Sequence, residues 1–411
     1  MLRKSLALTA LAAVSLLAQG SGGTNTPAQQ QKPYVILVSV DGMRAEYLKR
    51  LDLPNFEQLW THGVRSEGMI PSFPSKTFPN HYAIITGLYP GHHGIVGNTI
   101  WDPAKNATYR MSDSLAVTDA SWYRGEPLWA TAEKQGMVAA SFFWPGSEAA
   151  IAGVRPSIYK KYDGRVPDFA RVDTVLAWLR LPPEKRPHMI TLYFSEVDHA
   201  GHTQGPLSVA VDEAAHNVDQ AIGRLLDGIG TLEQREKVIL VVVADHGMSE
   251  ISKRWFAALD TIIDTVGVRL VDAAANANIF VRGGKERATV LRDSINRRMR
   301  HGRAYLNGEI PEHLHYNGDP RIGDLMVVMD DHFTVGYSNR TPRDSATHGW
   351  DPRVSPMMAA TFIAAGPGIP KNKVIPPFEN VELYEWMCEL LGLKPAPSDG
   401  HAGKLKKLIE Q

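Results

Sequence analysis

Cysteine is almost absent from this chain of 411 residues, which contains only Cys388. A single thiol excludes an intramolecular disulfide and every metal cluster built from several cysteines, so any bound metal must rest on His, Asp or Glu. An excess of one charge is also absent, because 44 Lys and Arg residues balance 44 Asp and Glu residues. The chain therefore lacks the global positive field that holds a nucleic-acid backbone, and no basic, aromatic-rich stretch indicates a nucleic-acid-binding module.

A hydrophobic run long enough to cross a bilayer is missing as well. The amino-terminal run from Leu6 to Ala18 covers about 13 residues, whereas a spanning helix needs roughly 20. Arg3 and Lys4 precede this run and a Gly- and Gln-rich tail follows it, an order typical of a secretory signal peptide. We predict residues 1–30 as a signal peptide and disordered leader, with no membrane span after its removal. Export without disulfides favours a bacterial periplasm, with secretion as the alternative.

Hydrophobic residues at 44% and charged residues at 21% are typical of a chain that buries a core. Continuous apolar runs predict buried strands at Tyr34–Val40, Val138–Phe143, Met189–Phe194, Val238–Ala244 and Met358–Ala364. Helical patterns lie between them at Leu53–Trp60, Pro127–Lys134, Asp168–Leu179 and Pro206–Leu226. This alternation predicts an α/β fold with a predominantly parallel central sheet and helices on both faces.

We predict one catalytic domain over residues 31–411. The stretch 252–347 is less regular. It includes a basic helix from Lys285 to Arg300 and short strand-like pieces such as Leu325–Met329, so we interpret it as an elaboration within that domain. Four arginines here have the side chain that binds phosphates, namely Arg297, Arg298, Arg300 and Arg303. A solvated helix face is the simpler interpretation.

Three predicted strands are followed by aspartate. Asp41 follows the first strand directly, Asp198 comes shortly after ITLYF, and Asp245 follows VILVVVA. A single aspartate at a strand end is usually a turn former or a helix cap. Three of them at the carboxyl edge of one parallel sheet, where ligands bind, would repel one another unless a divalent cation lay between them.

Two histidines accompany these aspartates. His202 lies one helical turn beyond Asp198, and His246 follows Asp245 directly, so each pair has the spacing to share an ion. A lone histidine is more often structural, but this pairing favours ligation. Carboxylate and imidazole donors without thiolate favour zinc or a related transition metal over calcium.

A proline-rich segment, PSFPSKTFPNHY, leads into a short helix predicted to begin near Thr77. A threonine at a helix start is usually a cap. The positive end of a helix also holds phosphate, and a hydroxyl beside a metal loses its proton more readily, so a nucleophile is the alternative. Ser72 and Ser75 are competing hydroxyls.

Six motifs occur in an order that resembles the nucleotide pyrophosphatase/phosphodiesterase family of the alkaline phosphatase superfamily. They are VSVDGMR, SKTFPNHYAIITGLYPGHHGI, GNTIWDP, TLYFSEVDHAGHTQGP, ADHGM and THGWDP. The resemblance extends from about Tyr34 to about Leu405, and six ordered motifs rarely match by chance. It implies an alkaline-phosphatase-like core.

The resemblance implies a site with two zinc ions. One ion would be held by Asp198, His202 and His348, and the other by Asp41, Asp245 and His246. Thr77, the attacking group, would also bind this second ion through its oxygen. His348 depends on the resemblance alone, since no pattern separates it from the other histidines of its region. Asn98 would donate its amide to a phosphate oxygen, although a turn residue is the simpler interpretation without the family.

The resemblance further implies a base-stacking slot formed by Phe78 and Tyr162, which Tyr193 is expected to help line. We therefore predict hydrolysis of nucleoside triphosphates, dinucleotides or nucleotide 5'-phosphodiesters to nucleoside 5'-monophosphates through a covalent threonine intermediate. The alternatives are a lipid or choline-phosphate phosphodiesterase with the same metals, a phosphomonoesterase, and a non-catalytic metal-bearing binding protein.

Overall fold

A computed structural model describes residues 23–411 of the chain. The predicted signal peptide, through residue 22, lies outside the described residues. Residues 23–30, which we assigned to a disordered leader, instead pack on the domain. The Asn25 side chain is 2% exposed, accepts a hydrogen bond from Val138 N and donates to the carbonyl of Arg186. The predicted boundary at Gln30 is therefore too far along the chain.

The centre of the molecule is an eight-stranded sheet. Its strands, from one edge to the other, are Lys373–Ile375, Gly63–Ser66, Phe362–Ala365, Val238–Val243, Tyr34–Val40, Met189–Phe194, Ala139–Phe142 and Ile158–Lys160. Only Phe362–Ala365 runs against the others. The predominantly parallel sheet is therefore confirmed.

The central strand shows why continuous apolar runs form here. Every residue of Tyr34–Val40 is buried, because the strand pairs in parallel with Met189–Phe194 on one side and with Val238–Val243 on the other. Helices cover both faces and shield the β-branched side chains from water. The carboxyl ends of these three strands meet at one edge of the sheet.

The helices predicted from the sequence agree with observed helices to within a few residues, and several further helices were not predicted. The α-helices of the described residues span Tyr47–Arg50, Pro54–Thr61, Thr77–Thr86, Pro90–His93, Ser114–Thr118, Leu128–Lys134, Asp168–Trp178, Glu196–Gln204, Val209–Gly230, Gly284–Arg298, Leu383–Leu391 and Lys404–Glu410. Val209–Gly230 packs on Pro54–Thr61 and Asp168–Trp178, while Leu383–Leu391 packs on Thr77–Thr86 and the central strand. Among the described residues, no helix has both the length and the apolar character to cross a membrane.

A second apolar core lies within the stretch predicted as an elaboration. A four-stranded antiparallel sheet orders its strands Val268–Val271, Asn276–Val281, Leu325–Met329 and Gly302–Leu306. The helix Gly284–Arg298 covers this sheet with its buried residues Ala288, Leu291 and Ile295. We call this unit, residues 252–347, the insertion.

The run Met358–Ala364 was predicted as one strand. The predicted bounds are wrong, and the prediction did not identify the strand as antiparallel to its neighbours. A short helical turn occupies Pro356–Met358, and the strand covers only Phe362–Ala365. Most of the run is buried, in the turn as well as in the strand, so hydrophobicity alone does not mark the strand start. Short strands complete the fold at Met69–Ile70, Thr99–Asp102, Ala107–Arg110, Ser249–Glu250, Phe256–Ala258, Thr334–Gly336, Ala346–Thr347 and Phe378–Glu379.

Asp219 is expected to contribute strongly to stability. The helix Pro54–Thr61 has no capping side chain of its own at Leu53, and the buried carboxylate of Asp219 accepts hydrogen bonds from Asn55 N at 3.0 Å and Phe56 N at 2.9 Å. Asp219→Ala would leave these donors unpaired and should lower the free energy of unfolding by about 2 to 3 kcal/mol. Urea denaturation measures this, with the exposed Asp227→Ala on the same helix as control. Equal, small losses for both variants would contradict the prediction.

Candidate active site

Three carboxylates lie at the carboxyl edge of the central sheet, as the strand-end pattern predicted. Asp41 directly follows the central strand, and Asp245 and Asp198 follow its two neighbours. The chain turns sharply after Asp41, where Gly42 has a φ of +68° and donates its N–H to Asp245 Oδ1 at 3.2 Å. A Cβ at Gly42 would lie 2.9 Å from the Asp198 Cα, so only glycine fits this approach.

The first cluster contains Asp198, His202 and His348, whose ligand atoms lie within 4.8 Å of one another. His202 Nε2 is 3.5 Å and His348 Nε2 is 3.9 Å from Asp198 Oδ1. The Nδ1 atoms of both histidines contact backbone carbonyls, that of Ala346 for His202 and that of Ser75 for His348. A proton held on Nδ1 by a carbonyl leaves the Nε2 lone pair free to bind a cation.

The second cluster contains Asp41, Asp245 and His246, and all three residues are buried. His246 Nε2 lies 2.9 Å from Asp245 Oδ2 and 3.6 Å from Asp41 Oδ1, while its Nδ1 contacts the carbonyl of Gly247 at 2.8 Å. The two clusters adjoin, because the rings of His246 and His348 stack with centroids 3.5 Å apart.

The donor atoms of both clusters fit a pair of divalent cations. Asp41 Oδ1, Asp198 Oδ1 and Asp245 Oδ2 are buried without a hydrogen-bond donor, and such orphaned oxygens are costly unless a cation contacts them. Burial, with repulsion from Asp245 and Asp198, raises the pKa of Asp41 well above its usual range. Burial also raises the pKa of Asp198.

The pKa values of Asp245 and His246 shift in opposite directions, so that the pair favours a charged carboxylate and a charged imidazole. Burial alone would raise the pKa of Asp245, but His246 and His81 beside it lower that pKa overall. Burial likewise opposes the charge on His246, yet the Asp245 carboxylate raises its pKa. The space between these two side chains therefore attracts positive charge, which a proton or a metal ion supplies.

Thr77 is the first residue of the helix Thr77–Thr86, and its hydroxyl faces the second cluster. The cap position belongs to Lys76 rather than to Thr77, so the interpretation of Thr77 as a helix cap is wrong. Its Oγ1 lies 3.3 Å from His246 Nε2. The competing hydroxyls are engaged elsewhere, Ser72 with Asn380 Oδ1 and Ser75 with the carbonyl of Trp350.

Asn98 is held beside the start of this helix by its side chain. Its Oδ1 accepts a hydrogen bond from Phe78 N at 2.9 Å. The amide oxygen is thereby occupied, which leaves the Nδ2 group as the end that can donate to a substrate.

The three predicted aromatic residues lie close to this region but in different environments. Tyr162 is 57% exposed, and its ring contacts those of Phe143 and Tyr193 with centroids 5.1 Å and 6.2 Å apart. Phe78 is partly buried and packs edge-on against Tyr109. Tyr193 donates its hydroxyl to Asp41 Oδ2 at 2.7 Å, so it supports a predicted metal ligand as well as bordering Tyr162.

His81 was assigned no role from the sequence, although the structure ties it to the site. Its Nδ1 lies 2.9 Å from the Thr77 carbonyl and 3.5 Å from Asp245 Oδ2, and its Nε2 contacts Ser39 Oγ at 2.8 Å. Burial lowers the pKa of this imidazole. The position of His81 one helical turn after Thr77 was the available signal, and it indicates that both residues share a helix face.

Residues 35–351 match the family model described as type I phosphodiesterase / nucleotide pyrophosphatase. The chain belongs to this family, and the resemblance inferred from its motifs is confirmed.

Among similar curated proteins is the venom phosphodiesterase CdcPDE of Crotalus durissus collilineatus, 38% identical over 95% of this chain and 48% of the relative. Ectonucleotide pyrophosphatase/phosphodiesterase family member 3 of Rattus norvegicus is 38% identical over 93% of this chain and 45% of the relative. The chain spans about half the length of the curated relatives it matches.

Solved structures support the fold. Murine ectonucleotide pyrophosphatase/phosphodiesterase 5 superimposes with a TM-score of 0.86 at 28% identity, over 92% of this chain and 100% of that one. A second structure of the murine protein is described as an inactive threonine-to-alanine variant in complex with AMP, with the same TM-score and coverage. The predicted alkaline-phosphatase-like α/β core is confirmed.

Proposed function

We propose that this protein is a two-zinc nucleotide pyrophosphatase/phosphodiesterase. It would hydrolyse nucleoside triphosphates, dinucleotides or nucleotide 5'-phosphodiesters and release nucleoside 5'-monophosphates. The observation that carries the proposal is the Thr77 hydroxyl at a helix start, 3.3 Å from a histidine of one of two adjoining ligand clusters. On the amino-terminal pattern, we also propose export to a bacterial periplasm.

The two clusters would each hold one zinc ion. Asp198, His202 and His348 would bind the first, and Asp41, Asp245 and His246 the second, beside Thr77. Bound zinc would neutralise phosphate charge and make a nearby hydroxyl a stronger nucleophile at neutral pH.

Thr77 would act as the nucleophile. Its Oγ1 attacks phosphorus in line, so that the Oγ1–P bond forms while the bond from phosphorus to the leaving oxygen breaks. The bonding electrons pass to the leaving oxygen, and the hydroxyl proton passes to water. Water then attacks the phosphorus of the nucleotidyl-threonine intermediate from the side that the leaving group has vacated, so that a new O–P bond forms while the Oγ1–P bond breaks. A proton passes to Thr77 Oγ1, which restores the hydroxyl and releases the nucleoside 5'-monophosphate. The inactivity of the murine threonine-to-alanine variant supports this role.

Asn98 and the helix start would stabilise the charge that develops on the phosphate oxygens. The Asn98 Nδ2 group is available because its oxygen is bonded to Phe78 N, and a donor fixed in place before reaction loses little energy in reorganising. The positive end of the helix Thr77–Thr86 adds to the attraction for an anion.

Phe78 and Tyr162 would hold the nucleobase, and AMP in the murine relative is a ligand of that chemistry.

The test of the proposed substrate class compares kcat/KM for a nucleoside 5'-phosphodiester, a phosphocholine ester and a phosphate monoester with the zinc-loaded protein. A strong preference for the nucleotide diester is expected. A preference for the choline ester would favour the lipid-type alternative, and a preference for the monoester would favour a phosphomonoesterase; either would overturn the substrate assignment.

Truncating Tyr162 should weaken nucleotide binding. The exposed ring offers one stacking face, and a base on an aromatic ring gains about 1–3 kcal/mol, so Tyr162→Ala should raise KM for a nucleotide diester about tenfold or more. Tyr162→Phe, which keeps the ring, is the matched control and should retain wild-type KM. Steady-state kinetics with a nucleotide diester and with a diester lacking a base separate the cases. An equal rise for both substrates would show that Tyr162 does not bind the base.

A further inference from the structure

Asp272 lies in the insertion, in the turn between Val268–Val271 and Asn276–Val281, and contacts the segments on either side of the reaction centre. The Lys76 ammonium donates to its Oδ2 at 2.7 Å and to its carbonyl at 2.6 Å. Its Oδ2 also accepts from Asn98 N at 3.1 Å, and its Oδ1 accepts from Thr99 N at 3.2 Å. No pattern in the sequence distinguishes this residue from other aspartates of the insertion.

The backbone around these contacts is adapted to them. Asp272 has a φ of +56°, a left-handed conformation that is uncommon outside glycine and that aspartate adopts more readily than most other residues. Gly97 lies against the carboxylate so closely that a Cβ there would be 2.4 Å from Asp272 Oδ2. Glycine at position 97 therefore admits the carboxylate to the Asn98 backbone.

The contacts close a ring through three chain segments. Asp272 accepts a hydrogen bond from Lys76, the residue before Thr77. Phe78, the residue after Thr77, donates its N–H to the Asn98 side chain. The Asn98 N–H in turn donates to Asp272, which closes the ring. The Lys76 side chain is 5% exposed and its charge is compensated within this ring. Lys76 therefore anchors the helix start instead of reaching for a phosphate.

Further contacts join the Asn98 segment to the insertion. The Arg269 guanidinium lies 3.5 Å from the Trp101 ring centroid, Arg321 Nε donates to Asp102 Oδ2 at 2.8 Å, and Tyr316 donates its hydroxyl to the Val96 carbonyl. The segment 96–102 thus rests on the insertion both before and after Asn98.

We propose that Asp272 is a positioning residue, through which the insertion sets the distance between the Thr77 hydroxyl and the Asn98 amide. This inference rests on the proposed function, since it concerns the same reaction centre. A carboxylate accepts from two backbone donors and one ammonium together, whereas a carboxamide has one acceptor oxygen and loses the charge. Asp272→Asn therefore disconnects part of the ring at nearly constant volume.

The test is a double-mutant cycle between Asp272→Asn and Asn98→Ala, read by kcat, by KM and by calorimetric binding of AMP. Asp272→Asn should lower kcat about 10-fold to 100-fold with KM for a small diester nearly unchanged, because misplacing a reacting group by a fraction of an ångström has effects of this size. In the Asn98→Ala background, the same change should have little further effect. Lys76→Met should act in the same direction and serves if Asp272→Asn folds poorly.

Asp260→Asn is the matched control. Asp260 lies in the same insertion and accepts hydrogen bonds from Ser338 N at 2.9 Å and from Ser338 Oγ. Ser338 does not belong to the ring around Asp272. Equal factors for Asp272→Asn with and without Asn98, or losses matched by Asp260→Asn, would overturn the inference. An inactive wild type would instead reject the proposed function, and AMP binding would then decide about Asp272. AMP should bind about tenfold more weakly to Asp272→Asn and Lys76→Met, because its terminal phosphate carries more negative charge than a diester and depends more on a correctly placed Asn98 amide. Unchanged AMP binding would overturn the inference.

Discussion

Replacing Thr77 by alanine is expected to lower kcat for a nucleotide diester by about four orders of magnitude or more, because no other hydroxyl of the segment faces the ligand clusters. The variant should keep its metal and its fold, since Thr77 makes no capping bond. Single-turnover kinetics, with metal analysis of the same preparation, would measure both properties.

Ser75→Ala is the matched control for the nucleophile. Ser75 lies two residues away and donates its hydroxyl to the Trp350 carbonyl, outside both clusters. Its loss should change kcat little. Wild-type turnover by Thr77→Ala would reject the nucleophile, and turnover that disappears with Ser75 instead would transfer the role to that residue.

Disrupting either ligand cluster is expected to remove one metal ion and nearly all activity. The wild-type protein should bind two zinc ions, whereas Asp198→Ala and Asp41→Ala should each bind about one. The missing carboxylate takes away both a ligand and the charge that holds the cation, and two-metal hydrolysis needs both ions. Elemental analysis after dialysis against a weak chelator, followed by an activity assay, gives the two readouts.

His199→Ala is the control for the metal sites. His199 is exposed, directly follows Asp198 on the same helix and belongs to neither cluster. Two ions should remain in this variant. If Asp41→Ala and Asp198→Ala also retained two ions, the assignment of ligands would be wrong.

Much of the candidate site follows from strand ends. Asp41, Asp198 and Asp245 were identified because they follow continuous apolar runs, and parallel strands bring such residues to one edge of the sheet. His202 and His246 followed from local spacing to those aspartates. Short-range geometry therefore carried these predictions, and the structure groups all five residues as expected.

His348 and Asp272 needed the tertiary structure or the family resemblance. His348 lies in an irregular segment that contains no distinguishing pattern. Other histidines of this part of the chain pack on aromatic rings instead: His301 stacks on Phe333, and His315 stacks on Tyr89. Asp272 acts on residues more than 170 positions away in the chain. No periodicity records contacts of that separation.

The insertion shows a second limit of sequence patterns. Residues 252–347 were recognised as irregular, and the strand Leu325–Met329 was predicted correctly. The antiparallel sheet and the core around Leu259, Ile279 and Ile295 were not predicted, because its strands are short and its helix is strongly polar. That unit is stabilised by packing between residues that are far apart in the sequence and come into contact only in the folded protein.

The insertion has an apolar core of its own, so it is a natural unit to exchange between relatives. Asp272 limits which insertions can replace it. A chimaera that carried another insertion on this sheet would lose the packing of Ile310 and Met326 in the main core. It would also leave Lys76 with an uncompensated charge beside Thr77. Such a graft must therefore carry an acidic side chain at this turn, and a partner glycine at position 97, if the hybrid is to inherit turnover together with its new surface.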